Sequence, residues 1–355
     1  MNTVGTQLPD TLFRLPLHDY YERSHVPLVE RDGWLLPGHF RAMEEEMTLL
    51  ERNDALVDFS DHGLLRLEGK DSVDFLNRIS TNDFRNFHAG DSGQTILTTE
   101  KGRVIDSIVV VHRQDHLLLI ASRRAQDSVR QWIEKFIIAE DVRVIDQTGN
   151  HILFADFLPQ RILAPSGEES ACTAFRVKYF DVDIAMYYCE SGTEVPEIIR
   201  PLMVNQVGND AFELFCVQRG IPQFWNEIMR EFNPLELNLW NQISFNKGCY
   251  IGQEVIARLD TYKRIQRTLC RIRAEGRLLP DKEYRLQVET KEIGMIVRLA
   301  RDSKGTNSFL GLAVIRKEFA KLGVKISVAD NPISIVVEHI FEPNGILNGN
   351  NNHTR

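Results

Sequence analysis

A tight turn, Glu100-Lys101-Gly102-Arg103, lies between two strand-like runs, Gln94–Thr98 and Val104–His112, and constrains this chain more than any other short segment. Strands joined by so short a link run antiparallel, because parallel strands need a crossover of a dozen or more residues. Gly102 supplies the positive φ that the turn requires. Around this hairpin, strand-like runs (Asp58–Leu67, Leu117–Ala121, Asp141–Asp146, Ile152–Phe157) alternate with helical ones (His39–Leu56, Asp71–Ile79, Ala125–Phe136). Hairpins beside crossovers predict an α+β fold rather than a doubly wound parallel sheet. Asp71 stands where a helix N-cap belongs.

The flanks differ in texture. Residues 1–40 carry Pro9, Pro16, Pro27 and Pro37 and read as an extended arm with one short strand around Gly33–Leu36. Pro165-Ser166-Gly167 is a turn, Asp181–Tyr188 a strand, Glu194–Val204 a helix, and Ala211–Arg219 a helix ended by Gly220 and Pro222. After Arg267 come short strand-like runs: Thr268–Arg273, Tyr284–Glu289, Ile293–Arg301, Phe309–Arg316 and Ser334–Glu338. Such spacing predicts a small all-β domain, sandwich or barrel. The tail Asn344–Arg355, rich in Asn and Gly, reads as disordered.

Composition narrows the function classes. A net charge of −8 over 355 residues argues against general nucleic-acid binding. The longest apolar runs, such as Ile108–Val111, fall far short of the roughly 20 residues of a membrane span. Met1–Pro9 lacks the pattern of a secretory signal. The expectation is a cytoplasmic monomer; a mature organellar protein cut from a precursor fits the same N-terminus. Cys172, Cys189, Cys216, Cys249 and Cys270 form no Cys-x-x-Cys pair and no metal-finger spacing. Their odd number in a long chain predicts a reducing compartment, with most of them small buried hydrophobes.

Chemistry concentrates in Ser244–Arg267, centred on Lys247-Gly248-Cys249-Tyr250-Ile251-Gly252-Gln253-Glu254. Gly248 and Gly252 allow close backbone approach or unusual φ. A helix can begin at Gly252, which puts Glu254 and Arg258 at the favourable i,i+4 spacing. A cysteine at such a start, two residues after Lys247, has its thiolate favoured by the helix dipole and the ammonium. It is then a nucleophile, a redox thiol or a transient metal ligand; the plainer reading is a tight turn with a packed cysteine. Asp106 shares a strand face with Val104, Ile108 and Val110. A carboxylate there has a buried partner, faces a pocket, or lies on an edge strand paired with Arg103. Arg258–Arg285 holds nine basic and four acidic residues, either a site for an anion or a solvated face. Thr81-Asn82-Asp83 reads as a turn after a helix, and the histidines show no metal spacing.

Lys247-Gly248-Cys249-Tyr250-Ile251-Gly252-Gln253-Glu254 with Ala257-Arg258 resembles the K-G-C-[FY]-x-G-Q-E-x-x-A-R signature of the YgfZ family, folate-binding proteins related to the glycine-cleavage T-protein, an aminomethyltransferase. Gly69-Lys70-Asp71 with Phe75-Leu76 and Thr81-Asn82-Asp83, Thr98 to Asp106, Gly220-Ile221-Pro222 and Asn233-Pro234-Leu235-Glu236 resemble further landmarks of the family in the same order. The resemblance implies three lobes in a cloverleaf around a central folate channel. Residues 1–267 would be the folate-binding region, its second lobe (roughly 55–150) inserted in the first, and 268–343 a β-barrel.

It also implies tetrahydrofolate, or a one-carbon-substituted folate, as cofactor, with Asp106 matching the T-protein's catalytic aspartate. The second aspartate usual in T-proteins is Ser107 here, and the R-I-E of a family R-I-E-x-G-x-P segment is replaced by Cys216-Val217-Gln218 with Arg219. The nearest stand-in for the T-protein's pterin-gripping glutamate is Glu190.

The resulting expectation is a folate-binding protein that supports assembly or repair of iron–sulfur clusters in transient client or assembly proteins. Cys249 and Asp106 would do the chemistry; Asp106, Lys247, Tyr250, Gln253, Glu254 and Arg258 would line the cofactor site, with no metal. The alternative is a tetrahydrofolate-dependent aminomethyl- or methyltransferase of the T-protein type. The arm through Trp34 and Pro37, which looks more like a T-protein's, keeps it open.

Overall fold

Ser92–Thr98 and Val104–His112 pair antiparallel around Gly102, whose φ is +63°. In the computed structural model, which describes residues 12–149, 151–158, 172–190, 192, 194–222, 231–276, 278–279, 282–302 and 308–342, this hairpin is one edge of a five-stranded sheet. The sheet continues through His116–Ala121, Gly63–Glu68 and Arg143–Asp146. Helices Ser72–Ile79 and Gln126–Phe136 bury Phe75, Leu76, Val129 and Ile133 against it. Asp71 is the N-cap residue, but its side chain caps nothing; its Oδ2 accepts the Asp141 N–H at 2.8 Å.

A second five-stranded sheet runs in the order Cys172–Tyr179, Val182–Glu190, His151–Asp156, Leu56–Asp58, Gln206–Val207. The chain leaves it at Asp58, builds the first sheet, and returns at His151 so that Phe154 pairs with Asp58. The predicted single strand Asp58–Leu67 is therefore two strands in two sheets, Leu56–Asp58 and Gly63–Glu68. The polar run Ser60-Asp61-His62 makes the bend between them. Helix Asn209–Arg219 packs Phe212 and Phe215 against Phe157, just past the strand His151–Asp156, and ends at Gly220, in the left-handed conformation at φ +71°.

Six strands close a barrel in the order Arg267–Glu275, Ser308–Arg316, Lys291–Arg301, Tyr284–Val288, Lys325–Val328, Ser334–Ile340. The chain has the fold class expected, α+β with three lobes and a C-terminal β-barrel. One apolar core joins all three: Phe157 and Phe212 of the second sheet's lobe, Ile96 and Ile120 of the inserted lobe, and Met295 and Leu312 of the barrel belong to it.

Three further expectations change. Glu194–Val204 is not an α-helix; a 3-10 segment, Arg200–Asn205, stands at its end. Pro196 and Pro201 explain this, since each lacks an amide donor and clashes with the preceding turn. The arm carries a three-stranded sheet (Phe13–Arg14, Trp34–Pro37, Leu28–Arg31) and the helix His18–Arg23. Finally, Cys172 and Cys189 are a disulfide rather than packed thiols. Equal counts back from the hairpin turn place them directly opposite, with Cα atoms 4.0 Å apart. Cys216 and Cys270 are buried thiols, as expected. The predicted turn at 165–167 and the tail 344–355 lie outside the described residues.

Candidate functional site

Asp106 is fully buried in the middle of Val104–His112. Its Oδ1 accepts the Ser107 N–H at 2.9 Å and the Ser122 hydroxyl at 2.7 Å; its Oδ2 accepts the Ser122 N–H at 2.9 Å. Burial pushes the carboxyl up to about 7, and these three hydrogen bonds only partly oppose it. Strand alternation decides which way it faces. Ile108 and Val110, on the same side, enter the inserted lobe's own core, whereas Ser107 and Val109 line a cavity of about 580 Å³. Asp106 therefore stands behind the cavity wall, and Ser122, which does line the cavity, connects it to the interior.

All three lobes close this cavity. The barrel contributes Arg298, the Asn209–Arg219 helix contributes Phe212 and Glu213, and the outer strands contribute Tyr179 and Met186. Arg298 Nε donates to Glu213 Oε2 at 2.7 Å and its Nη1 to the Ile221 carbonyl at 2.9 Å, both side chains being buried. Burial alone would raise the Glu213 carboxyl; Arg298, helped by Arg123, brings it below the ordinary carboxylate range. Burial pushes the neighbouring Cys216 thiol up to about 12, which keeps it protonated.

A second compartment of about 310 Å³ adjoins the first and shares Phe59, His62, Arg123 and Phe212 with it. Arg123 is buried there between two acids, donating from Nε to Asp61 and from Nη1 to Asp32 at 3.2 Å. Its Nη2 donates to Asn209 Oδ1 at 3.2 Å. Burial would raise Asp61, yet the charge of Arg123 and the hydrogen bond from His62 hold it well below the usual carboxylate range.

The signature lies elsewhere. None of Lys247, Cys249, Tyr250, Gln253, Glu254 and Arg258 lines either compartment. Lys247 is buried, and its Nζ donates to the carbonyls of Asn77 (2.5 Å), Ser80 (2.9 Å) and Asn82. It thus satisfies the end of helix Ser72–Ile79, whose last carbonyls lack partners within the helix. Burial lowers its ammonium to about 8.

Tyr250 packs into the common core, and Gln253 Oε1 accepts the Tyr250 N–H at 3.3 Å. Gly252 is at φ +84° before helix Gln253–Thr261, and a Cβ there would meet the Thr99 carbonyl at 2.6 Å. Thr98 Oγ1 donates to the Ile251 carbonyl at 2.6 Å, and Ser244 N–H to the Thr81 carbonyl at 3.0 Å. The stretch is a clamp that grips both the Ser92–His112 hairpin and the Thr81-Asn82-Asp83 turn.

Cys249 is an exposed free thiol, and Lys247 spends its charge on carbonyls. Among the described residues, Asp260 of this helix pairs with Lys263, just beyond its end, at 3.2 Å, and Glu254 and Arg258 form no ion pair. Part of the basic excess after Arg258 is already paired: Arg273 with Asp302 and Glu338, and Arg285 with Glu231 and Glu292. Glu190 is an exposed strand end opposite His151, away from both compartments. The cavity's buried acid is Glu213. Its signal was present, as one acid inside Ala211-Phe212-Glu213-Leu214-Phe215, and Arg298 likewise stands alone in an apolar strand.

Three lobes around a shared cavity, with a buried acid behind its wall, define an aminomethyltransferase-like architecture. The chain belongs to the family described by the GCVT N-terminal domain, which matches residues 17–246. It is 27% identical over 345 residues to the Arabidopsis thaliana protein named "Putative transferase At1g60990, chloroplastic", covering 90% of this chain and 79% of that one. It is 21% identical to the aminomethyltransferase of Halalkalibacterium halodurans (94% and 98% covered) and 25% to that of Desulfitobacterium hafniense (89% and 93%). The glycine cleavage system aminomethyltransferase T of Bartonella henselae has the same fold, with a TM-score of 0.73 at 17% identity over 92% of this chain and 97% of that one. No described helix is long and apolar enough to cross a membrane.

Proposed function

We propose that the protein binds a tetrahydrofolate in the cavity between its lobes and is a folate-dependent transferase of the aminomethyl- or methyltransferase type. The observation that carries this reading is a buried acid, Asp106, one residue behind the wall of a cavity that all three lobes close. The residues fit such a ligand. The cavity brings polar and aromatic groups together. Its wall offers aromatic faces from Phe59, Tyr179 and Phe212 and hydroxyls from Ser107 and Ser122. Tetrahydrofolate would supply the nitrogens that carry a one-carbon unit.

Ser122 orients the ligand, and Asp106 acts through its hydroxyl or replaces it at a ligand N–H. A carboxyl poised near neutrality can hold or release a proton at working pH. Arg298 and Glu213 hold the barrel to the helix and close the cavity against water. Calorimetric titration with tetrahydrofolate tests binding, and a steady-state assay with aminomethyl-lipoyl carrier protein tests transfer. Turnover that collapses in Asp106→Asn supports the reading; no turnover removes the transferase part.

The second reading is support of iron–sulfur enzymes, with folate binding kept and transfer absent. The specific observation favouring it is the free, exposed thiol of Cys249 within the Lys-Gly-Cys signature. In this reading Cys249 meets a client's thiol or a cluster intermediate outside the cavity. Cys249→Ala would then abolish rescue of iron–sulfur enzyme activity in a deficient host, while folate affinity stays. Full rescue by the alanine variant sinks it. The chloroplast is named for the Arabidopsis relative, and an organellar location is equally compatible with either reading.

A further inference from the structure

We propose that His62 is the proton-accepting residue of the cavity and meets an N–H of the bound ligand through Nε2. Its Nδ1 lies 2.9 Å from Asp61 Oδ1. Asp61 is buried and held ionised by Arg123, so it can only accept. Nδ1 must therefore carry the hydrogen, and in the neutral ring Nε2 keeps the lone pair. Among the described residues, none bonds to Nε2.

The ring is also fixed in space. It stacks on Phe59 with centroids 4.4 Å apart and planes 14° from parallel. Arg123 pins the far oxygen of Asp61 and is itself pinned by Asp32 and Asn209. His62 lines both compartments, and so stands on the wall they share. A histidine kept only for packing has no need of an oriented acid and a buried arginine behind that acid. The arrangement holds one imidazole tautomer with its acceptor nitrogen available.

The step is a proton transfer. The ligand nitrogen is positively charged before the step, as an amine nitrogen becomes when it takes up a one-carbon unit; its N–H bond breaks, the electron pair stays on the nitrogen, which becomes neutral, and the proton moves to Nε2. The imidazolium formed is balanced by the Asp61 carboxylate. The ligand class is an amine or reduced nitrogen heterocycle, and its identification as a tetrahydrofolate rests on the function proposed above. Other ionisable groups face the same region: Asp58 on the same segment, His151 on the neighbouring strand, Glu213 and Arg298 across the cavity, and Asp106 behind Ser122. The effect of His62 must be read as a difference between variants.

Tetrahydrofolate binding is measured by calorimetry at pH 8 on wild type and His62→Gln. His62→Gln should bind about threefold to tenfold more weakly. Wild-type affinity in His62→Gln overturns this assignment alone. A wild type that binds no tetrahydrofolate removes the folate reading and this assignment with it. Nitrogen NMR of the unaltered protein is independent of the variant's folding: the Nδ1–H tautomer of His62 supports the proposal, and the Nε2–H tautomer overturns it.

Discussion

The cavity and the Lys247–Arg258 clamp are built in opposite ways. The clamp is contiguous in sequence, conspicuous for its polar residues, and held mainly through backbone carbonyls: Lys247 donates to three, the Ile251 carbonyl accepts from Thr98 Oγ1, and Gly252 lies close against the Thr99 carbonyl. The cavity draws single residues from distant segments, such as His62, Asp106, Arg123, Glu213 and Arg298, and pairs their side chains with one another. A dense motif can thus be a structural fastener, while reactive groups lie scattered where the sequence looks apolar.

The sharpest way to break the contrast is at the cavity. Glu213→Ala leaves Arg298 charged, buried and without its carboxylate, and should cost about 3–5 kcal/mol in denaturant unfolding. Next comes Asp106→Asn, read against pH. A carboxyl at about 7 when folded, against 3.8 ordinarily, binds its proton more tightly in the folded chain. Ionising it therefore costs stability as pH rises from about 4 to about 7. The asparagine variant has no such proton, so its stability relative to wild type should rise by up to about 4 kcal/mol across that window, with no further gain above it.

The clamp should respond next. Gly252→Ala combines left-handed strain with a collision at the Thr99 carbonyl, and about 2–4 kcal/mol should be lost whatever the pH. Lys247→Met strips three carbonyls of their shared donor, at about 1–3 kcal/mol by the same measurement. Smallest of all, Cys249→Ala should change stability by less than about 0.5 kcal/mol, since the side chain is exposed. A clamp variant that leaves stability intact but abolishes folate binding would reverse the roles given to the two regions.

Much of this was legible in the sequence, for local reasons. The Gly102 hairpin, the helix stop at Gly220 and the run of short barrel strands rest on turn chemistry and period, which few residues decide. Asp106 was visible as a charge on an apolar strand, though period alone could not say that Ser107 takes the cavity side. Glu213 and Arg298 give the same signal as Asp106, a lone charge in an apolar run. His62 was hidden inside a run read as one strand, because a change of sheet leaves only a short polar break. The disulfide leaves no mark in the cysteine spacing, since its partners meet only once a hairpin's register is fixed. Lys247 was credited to its sequence neighbour Cys249, whereas its partners are Asn77, Ser80 and Asn82.

The return of the chain to its own starting sheet has a consequence for how the protein forms. Leu56–Asp58 cannot pair with His151–Asp156 until everything between them has folded back. The entropy of closing so long a loop falls sharply if the intervening residues have already collapsed into a unit of their own. The inserted lobe has a separate core under its two helices, so it can form first and bring the two strand ends together. Refolding should thus be sequential, with the inserted lobe's amides gaining protection from exchange before those of Leu56–Asp58, and the seam between the two sheets, where Asp61 and His62 sit, closing last.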